Sequence, residues 1–223
     1  MIPDDFKKLS SLRRLDFSGN NFHGLPSSMR GLSQLKEMDI SHCKLLVAIP
    51  ELPTSLKLIV IPELPTSLKY VSAHGCKSLQ TLPKLSQLSQ LESVNLGHCK
   101  KLIVIPELPK SLKYLSAHGC KSLQTLPKLS LLSRLTELFL STGKHLVAMP
   151  DLPTNLIHLD ASKWKSLQTL PMVSHLSKLQ TLKVRDCGEL LAIKDLQATL
   201  ENLDTSNCPL LQVILNLSLL SQL

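Results

Sequence analysis

The chain has 223 residues, 43% of them apolar but only 3% aromatic, so its core must be built from aliphatic side chains, above all leucine. A formal charge of +8 permits an acidic partner without demanding one. No run of 18 apolar residues occurs, and Met1-Ile2-Pro3-Asp4-Asp5 lacks the basic-then-apolar order of a secretion signal, which argues against a membrane span or export.

The chain opens in the middle of a pattern. Residues 2–9 align with residues 25–32, the second half of a repeating unit, so 1–11 reads as a partial repeat. Complete units start at Leu12 and Leu35 and fill 12–55. Each has the form LxxLxLxxCxxLxxLP, with leucines alternating at the period of two that a strand facing a core requires. Proline at the end of the unit removes a backbone donor and stops the strand pattern there.

Residues 56–67 break the rhythm. IPELPTSLK occurs twice, at 49–57 and 61–69, which adds 12 residues and the pattern of a strand without its turn. Either a truncated coil or a bulge on the convex side accommodates them. Six further units follow over 68–199, starting at Leu68, Leu91, Leu112, Leu135, Leu156 and Leu179, and 200–223 is an incomplete last one. Residues 57–100 and 101–144 agree at 33 of 44 positions, so the true period is two units, 23 and 21 residues long. KLSQLSQ in the longer units is expected to form a helical or 3-10 turn, and PELPxS in the shorter ones to stay extended. Lys194, Gln197 and Leu215 replace expected prolines near the end, and neither end carries a polar cap, so the chain reads as part of a longer array.

Taken together these units specify an α/β solenoid of the leucine-rich-repeat type. It is an open arc of about nine coils with a parallel sheet on the concave face and short helical, 3-10 or extended convex segments.

Six cysteines and eight histidines invite a metal or redox reading. All six cysteines, however (Cys43, Cys76, Cys99, Cys120, Cys187 and Cys208), fall at position 9 of the unit, where the chain turns out of the strand and the side chain points inward. No C-x₂₋₄-C spacing occurs, so no metal, cofactor or disulfide framework is expected, and unpaired thiols favour a reducing compartment. Gly143 fills position 9 in one coil; Trp164 in the next is too large for the slot, and either swings to the surface as an interface anchor or repacks locally. Position 10 is Lys44, Lys77, Lys100, Lys121, Lys144 and Lys165, a row along one rim at about 4.8 Å spacing. This is a basic stripe for an acidic protein surface or phosphate, or a solvated lysine copied by duplication.

Asp16, Asp39, Asp160 and Asp204 recur at position 5 but lie on separate coils, as a solvated face rather than an acid–base pair. No nucleophile elbow, phosphate loop or zinc-protease motif occurs, so no enzyme is expected. Positions 3, 5, 7 and 8 face the concave side or its edge. There Tyr70, Tyr114 and Phe139, with His74, His118, His158, Glu137 and Asp160, gather in the central coils as the expected protein contact. Aromatic residues interleaved with arginines are missing, which argues against nucleic acid.

LSQLKEMDISHCKLLVAIPELPTSL and LKYLSAHGCKSLQTLPKLS resemble the leucine-rich-repeat region of plant TIR-type nucleotide-binding disease-resistance receptors, over nearly the whole chain. The resemblance implies a non-catalytic recognition and autoregulatory module of a cytoplasmic or nuclear immune receptor. Its partner would be a pathogen effector, a guarded host protein, or the TIR and NB-ARC domains of the same receptor. Neither domain lies in this chain, so their nucleotide chemistry does not carry over. Two other readings are a bacterial secreted repeat effector, which favours Asn at position 9 and uniform units, and a self-standing interaction scaffold. Cell-surface receptors show many glycosylation sequons, whereas this chain has only Asn216-Leu217-Ser218.

Overall fold

The computed structural model describes residues 8–49, 64–146 and 148–214. Nine short strands lie at positions 3–5 of nine successive units. They are β1 (Arg14–Asp16), β2 (Glu37–Asp39), β3 (Tyr70–Ser72), β4 (Ser93–Asn95), β5 (Tyr114–Ser116), β6 (Glu137–Phe139), β7 (His158–Asp160), β8 (Thr181–Lys183) and β10 (Asn202–Asp204). They form one parallel sheet in chain order, each coil pairing only with its neighbours. The middle residue of every strand from β1 to β8 is buried, as alternation demands.

Position 6 follows the same logic: Ile40, Ala73, Leu96, Ala117, Leu140, Ala161 and Val184 all lie in the core. Coils 3–8 each add a thin layer of six or seven aliphatic side chains, besides position 9, to one continuous core. At roughly 1.5–3 kcal/mol per fully buried leucine, stacking drives the fold, since no coil can cover its own layer.

The convex segments follow the alternation of unit length. The longer units close through 3-10 turns at Ser27–Gly31 and Leu129–Leu131 or through plain turns, while the shorter ones run extended through PELPKS and its relatives. No α-helix occurs among the described residues, so the "α" half of the expected class is met only by 3-10 turns. The outer segments are too short for the cooperative nucleus an α-helix requires. A polar residue just before position 1 ties the shorter outer segments to the coil before: Ser67 Oγ donates to Leu35 O at 2.6 Å and Ser111 Oγ to Leu91 O at 2.7 Å.

A second ladder runs along the opposite flank through positions 13 and 14. Gln80 N–H donates to Val47 O at 2.8 Å and Gln124 N–H to Ile103 O at 2.9 Å, and β9 (Ala192–Ile193) pairs with β11 (Val213–Ile214). Both ladders pass directly from coil 2 to coil 3: Glu37–Asp39 is in register with Tyr70–Ser72, and Ala48 bridges Thr81. Coils 2 and 3 are therefore direct neighbours in both ladders, although the repeated IPELPTSLK segment separates them in sequence. Its residues 50–63, the opening partial repeat before Lys8 and residues 215–223, with Leu215 and the sequon, lie outside the described residues.

Candidate functional site

Three backbone and side-chain rules, repeated coil by coil, shape the concave edge. First, an Asp or Asn at position 5 accepts the N–H two residues on: Asp16 from Ser18 at 2.9 Å, Asp39 from Ser41 at 2.8 Å, Asn95 from Gly97 at 3.1 Å, Asp160 from Ser162 at 2.9 Å and Asp204 from Ser206 at 3.1 Å. The recurring aspartates are thus turn-forming residues. Hydrogen bonds from Ser18 and Ser206 hold the Asp16 and Asp204 carboxyls below their ordinary values, as suits an acceptor rather than a proton donor.

Second, position 8 is left-handed in all nine coils. The φ values run from 57° to 75° at Gly19, His42, Gly75, His98, Gly119, Thr142, Lys163, Asp186 and Asn207. In this conformation the N–H of position 8 reaches the position 7 carbonyl of the following coil, as Gly75 N reaches Gly97 O at 2.7 Å and His98 N reaches His118 O at 2.7 Å. The chain then turns inward.

Third, the inward position 9 donates to the position 6 carbonyl of the coil before. Cys76 Sγ lies 3.0 Å from Ile40 O, Cys99 Sγ 3.1 Å from Ala73 O, Cys120 Sγ 3.1 Å from Leu96 O and Cys208 Sγ 3.0 Å from Val184 O. Trp164 obeys the same rule: its indole N–H donates to Leu140 O at 2.7 Å, and the side chain is 0% exposed. The surface-anchor reading of Trp164 is thereby overturned. A satisfied donor and the empty slot left by Gly143 in the previous coil allow the large ring to be buried. Burial raises the Cys76 thiol to about 12 and that of Cys187 to about 11, so these are core thiols.

On this frame the expected contact residues separate into two hollows. Tyr70 and Tyr114 line the first, a concavity of about 360 Å³ shared with Arg14, Glu37, Asp39 and Asn95. Tyr70 is 45% exposed, and Tyr114 packs against Phe139 with ring centroids 5.6 Å apart. His118 and Asp160 line the second, about 280 Å³, with His98, Lys163, Lys183 and Arg185. Glu137 and His158 are half-buried register partners at position 3 on β6 and β7 and line neither hollow. All six rim lysines are exposed, and none forms an ion pair among the described residues.

His74 belongs to a feature that sequence reading missed. His42, His74, His98 and His118 form one row across coils 2–5, with centroids 5.3 Å apart for His42–His74, 5.2 Å for His74–His98 and 4.6 Å for His98–His118. His42 and His98 sit at position 8 while His74 and His118 sit at position 7, and glycine fills the alternate place in three of the four coils. The glycines make the room: a Cβ on Gly75 would lie 2.6 Å from His42 Nδ1, and one on Gly97 2.7 Å from His74 Nδ1 and 2.8 Å from His118 Nδ1. The swap from His-Gly to Gly-His in alternate units was the legible signal. Among the described residues no group of three or more His, Cys, Asp or Glu side chains is placed to hold a metal ion, and no helix is long and apolar enough to cross a membrane.

The sheet, the position 9 ladder and the stacked leucines define a leucine-rich-repeat protein. The leucine-rich-repeat family model matches residues 3–45. The solenoid is similar to YopM from Yersinia enterocolitica, with a TM-score of 0.61 and 26% identity over 94% of this chain and 47% of that one. It is also similar to the InlJ domain of Listeria monocytogenes, described as including a cysteine ladder, with a TM-score of 0.62 and 23% identity over 93% of this chain and 47% of that one. Within this fold, parts of the repeats are similar to plant disease-resistance proteins. Disease resistance-like protein DSC1 of Arabidopsis thaliana is 41% identical over 81 residues, and TMV resistance protein N of Nicotiana glutinosa 46% identical over 55. These matches take in 36% and 25% of this chain but only 6% and 5% of the relatives' lengths.

Proposed function

We propose that this solenoid is the protein-recognition and autoregulatory module of an intracellular plant immune receptor of the TIR nucleotide-binding type. Its ligand is a pathogen effector or a guarded host protein, and its intramolecular partners are the TIR and NB-ARC domains. The observation that carries this reading is the centre of the concave face. Coils 3–5 present Tyr70, Tyr114, serines, Asn95 and histidines at positions 3, 5, 7 and 8, with no Asp, Glu, Lys or Arg, on a rigid sheet. Phe139 extends the aromatic patch from coil 6. Tyr, Ser and Asn on a fixed scaffold supply large contact area and adaptable hydrogen bonds at low entropic cost. Charged residues of both signs return in the coils to either side, with Arg14, Asp16, Glu37 and Asp39 at one end and Asp160, Lys163, Lys183, Arg185, Asp186 and Asp204 at the other. The relatives named as resistance proteins support the immune context. The position 9 cysteines and the 23/21 alternation favour it over a bacterial effector.

The test places a photo-crosslinking amino acid at Ser93, between Tyr70 and Tyr114, in the full-length receptor expressed in leaf tissue with and without pathogen challenge. A crosslinked pathogen or host protein that disappears when Tyr70, Tyr114 and Phe139 are changed together to Ala supports the reading. Crosslinking that survives the triple change removes the aromatic centre as the contact.

A further inference from the structure

The fold clears space for the four-histidine row with three glycines, Gly75, Gly97 and Gly119. His42 and His98 are exposed, His74 and His118 half-buried. His42 meets His74 at 73°, His74 meets His98 at 89° and His98 meets His118 at 83°, an edge-to-face chain, while His74 and His118 also lie 5.6 Å apart. An edge-to-face pair tolerates one proton, because the positive edge of one ring meets the electron-rich face of the next. It resists a second, because two imidazolium rings about 5 Å apart repel.

The groups around the row do not relieve that repulsion. From β2 and coil 7, Asp39 and Asp160 face His74 and His118, but each also accepts a turn N–H. Asn95 of β4 lies beside His74, and Ser116 Oγ lies 2.7 Å from His118 Nδ1. Beyond coil 5, the hollow that His98 and His118 share also holds Ser141, Thr142, Lys163, Lys183, Arg185 and Asp204, three cations against Asp160 and Asp204. The thiols of Cys43, Cys76, Cys99 and Cys120 follow on the inward side, and Lys44, Lys77, Lys100 and Lys121 come next in each coil. Three carboxylates, Asp39, Asp160 and Asp204, are therefore set among four imidazoles and three further cations. Burial, with the neighbouring imidazoles second, holds both His74 and His118 below the ordinary histidine value.

We propose that the row His42–His74–His98–His118 is a proton-operated switch of the concave face. The rings are packed edge to face, and protons taken up on acidification repel one another, loosen the row and make the centre of the face cationic. Its regulatory meaning rests on the reading that this centre contacts a partner: an uncharged partner surface is released on acidification and an acidic one is gained. The switch itself needs no partner.

The measurement follows the imidazole carbon-bound protons of the folded chain by NMR between pH 8 and pH 5. The expected result is that the titrations of His74 and His118, held low by burial, depend on the neighbouring rings of the row. His98→Asn, which keeps a residue tolerant of the left-handed conformation at φ 61°, shifts the His74 and His118 midpoints upward. Four independent single-step curves, unmoved by His98→Asn, overturn the proposal. If that variant does not fold, His42→Asn at φ 59° makes the same test on His74 from the other end of the row. A negative titration leaves the concave recognition reading standing, and crosslinking that survives the aromatic triple change leaves the switch standing.

Discussion

Trp164 lies in the slot that Gly143 vacates in the coil before it. A Cβ at residue 143 would stand 2.9 Å from the indole Nε1 and 3.0 Å from Cε2, while the indole N–H donates to Leu140 O at 2.7 Å. The two residues are one packing unit, small against large at the same repeat position. Gly143→Cys is therefore expected to cost about 1–3 kcal/mol by overpacking, since the ring cannot rotate away without losing its hydrogen bond. Trp164→Cys alone leaves a void and costs a similar amount or more. The pair Gly143→Cys with Trp164→Cys restores the regular ladder and recovers much of both losses. Urea unfolding of the four species in a double-mutant cycle measures the coupling, read by circular dichroism because Trp164 is the only tryptophan. Additive losses would show the two positions to be independent.

The cysteine ladder makes a chemical prediction. With thiols raised to about 12 and about 11, Cys76 and Cys187 hold only ~10⁻⁴ and ~10⁻³ of their population as thiolate at pH 8. Cys43 is likewise pushed upward by burial. Cys208, half-buried in the ninth coil, is the accessible member. Alkylation of the native chain at pH 8 should label Cys208 first, and the other five only at the rate of unfolding. Mass spectrometry of timed digests distinguishes this from uniform labelling, which would mean that the ladder is open.

Much of this fold was legible because each coil repeats the same physical demand. The strands sit at the alternating LxL positions of nine units, from Arg14–Asp16 to Asn202–Asp204, and the inward cysteines fall where position 9 turns the chain. Trp164 was not settled by pattern, because its burial depends on the residue 21 places earlier, and only three-dimensional stacking brings the two together. The histidine row was hidden for the same reason. Positions 7 and 8 look like different faces within one coil, yet the left-handed turn brings His98 from position 8 against His74 and His118 from position 7. The position 5 aspartates looked like a surface pattern and proved to be turn acceptors, a role carried by a backbone N–H that no residue pattern displays.

Mild acidification should destabilise the fold through His74 and His118. The folded-state values of His74 and His118 lie below the ordinary 6.5, so under mildly acidic conditions the unfolded chain binds more protons than the folded one. Stability is then fully present above pH 6.5 and is lost as the pH falls from there through the depressed folded values. The carboxylates act in a separate, lower window: Asp16 and Asp204, lowered from 3.8, and Glu92, lowered from 4.5 chiefly by its hydrogen bond with Lys113, lose their contribution only as they protonate. Thermal unfolding should show a falling Tm between pH 7 and pH 5.5 that is flattened by His74→Gln with His118→Gln. An unchanged slope in that variant would assign the effect elsewhere.

Thr142 carries the least favourable backbone of the nine left-handed positions. Its φ of 75° is paired with a β-branched side chain, whereas the equivalent places hold glycine in three coils and Asn, Asp, His or Lys in the others. The conformation is imposed by the ladder: Thr142 N–H donates to Ser162 O at 2.8 Å, and its carbonyl accepts from Lys144 N at 3.0 Å. Strain of this kind costs on the order of 1–3 kcal/mol, paid for by the packing on either side. Thr142→Gly should recover about 1 kcal/mol of it, because glycine adopts the angle freely but also gains entropy in the unfolded chain. The mirror experiment is Gly119→Ala. There φ is 72° and a Cβ would stand 2.5 Å from His98 Nδ1, so the alanine pays both for its backbone and for displacing the imidazole. Chemical denaturation of the two variants should move in opposite directions, with Gly119→Ala the larger change. A stabilising Gly119→Ala would mean that neither the turn nor the histidine row constrains this edge of the solenoid.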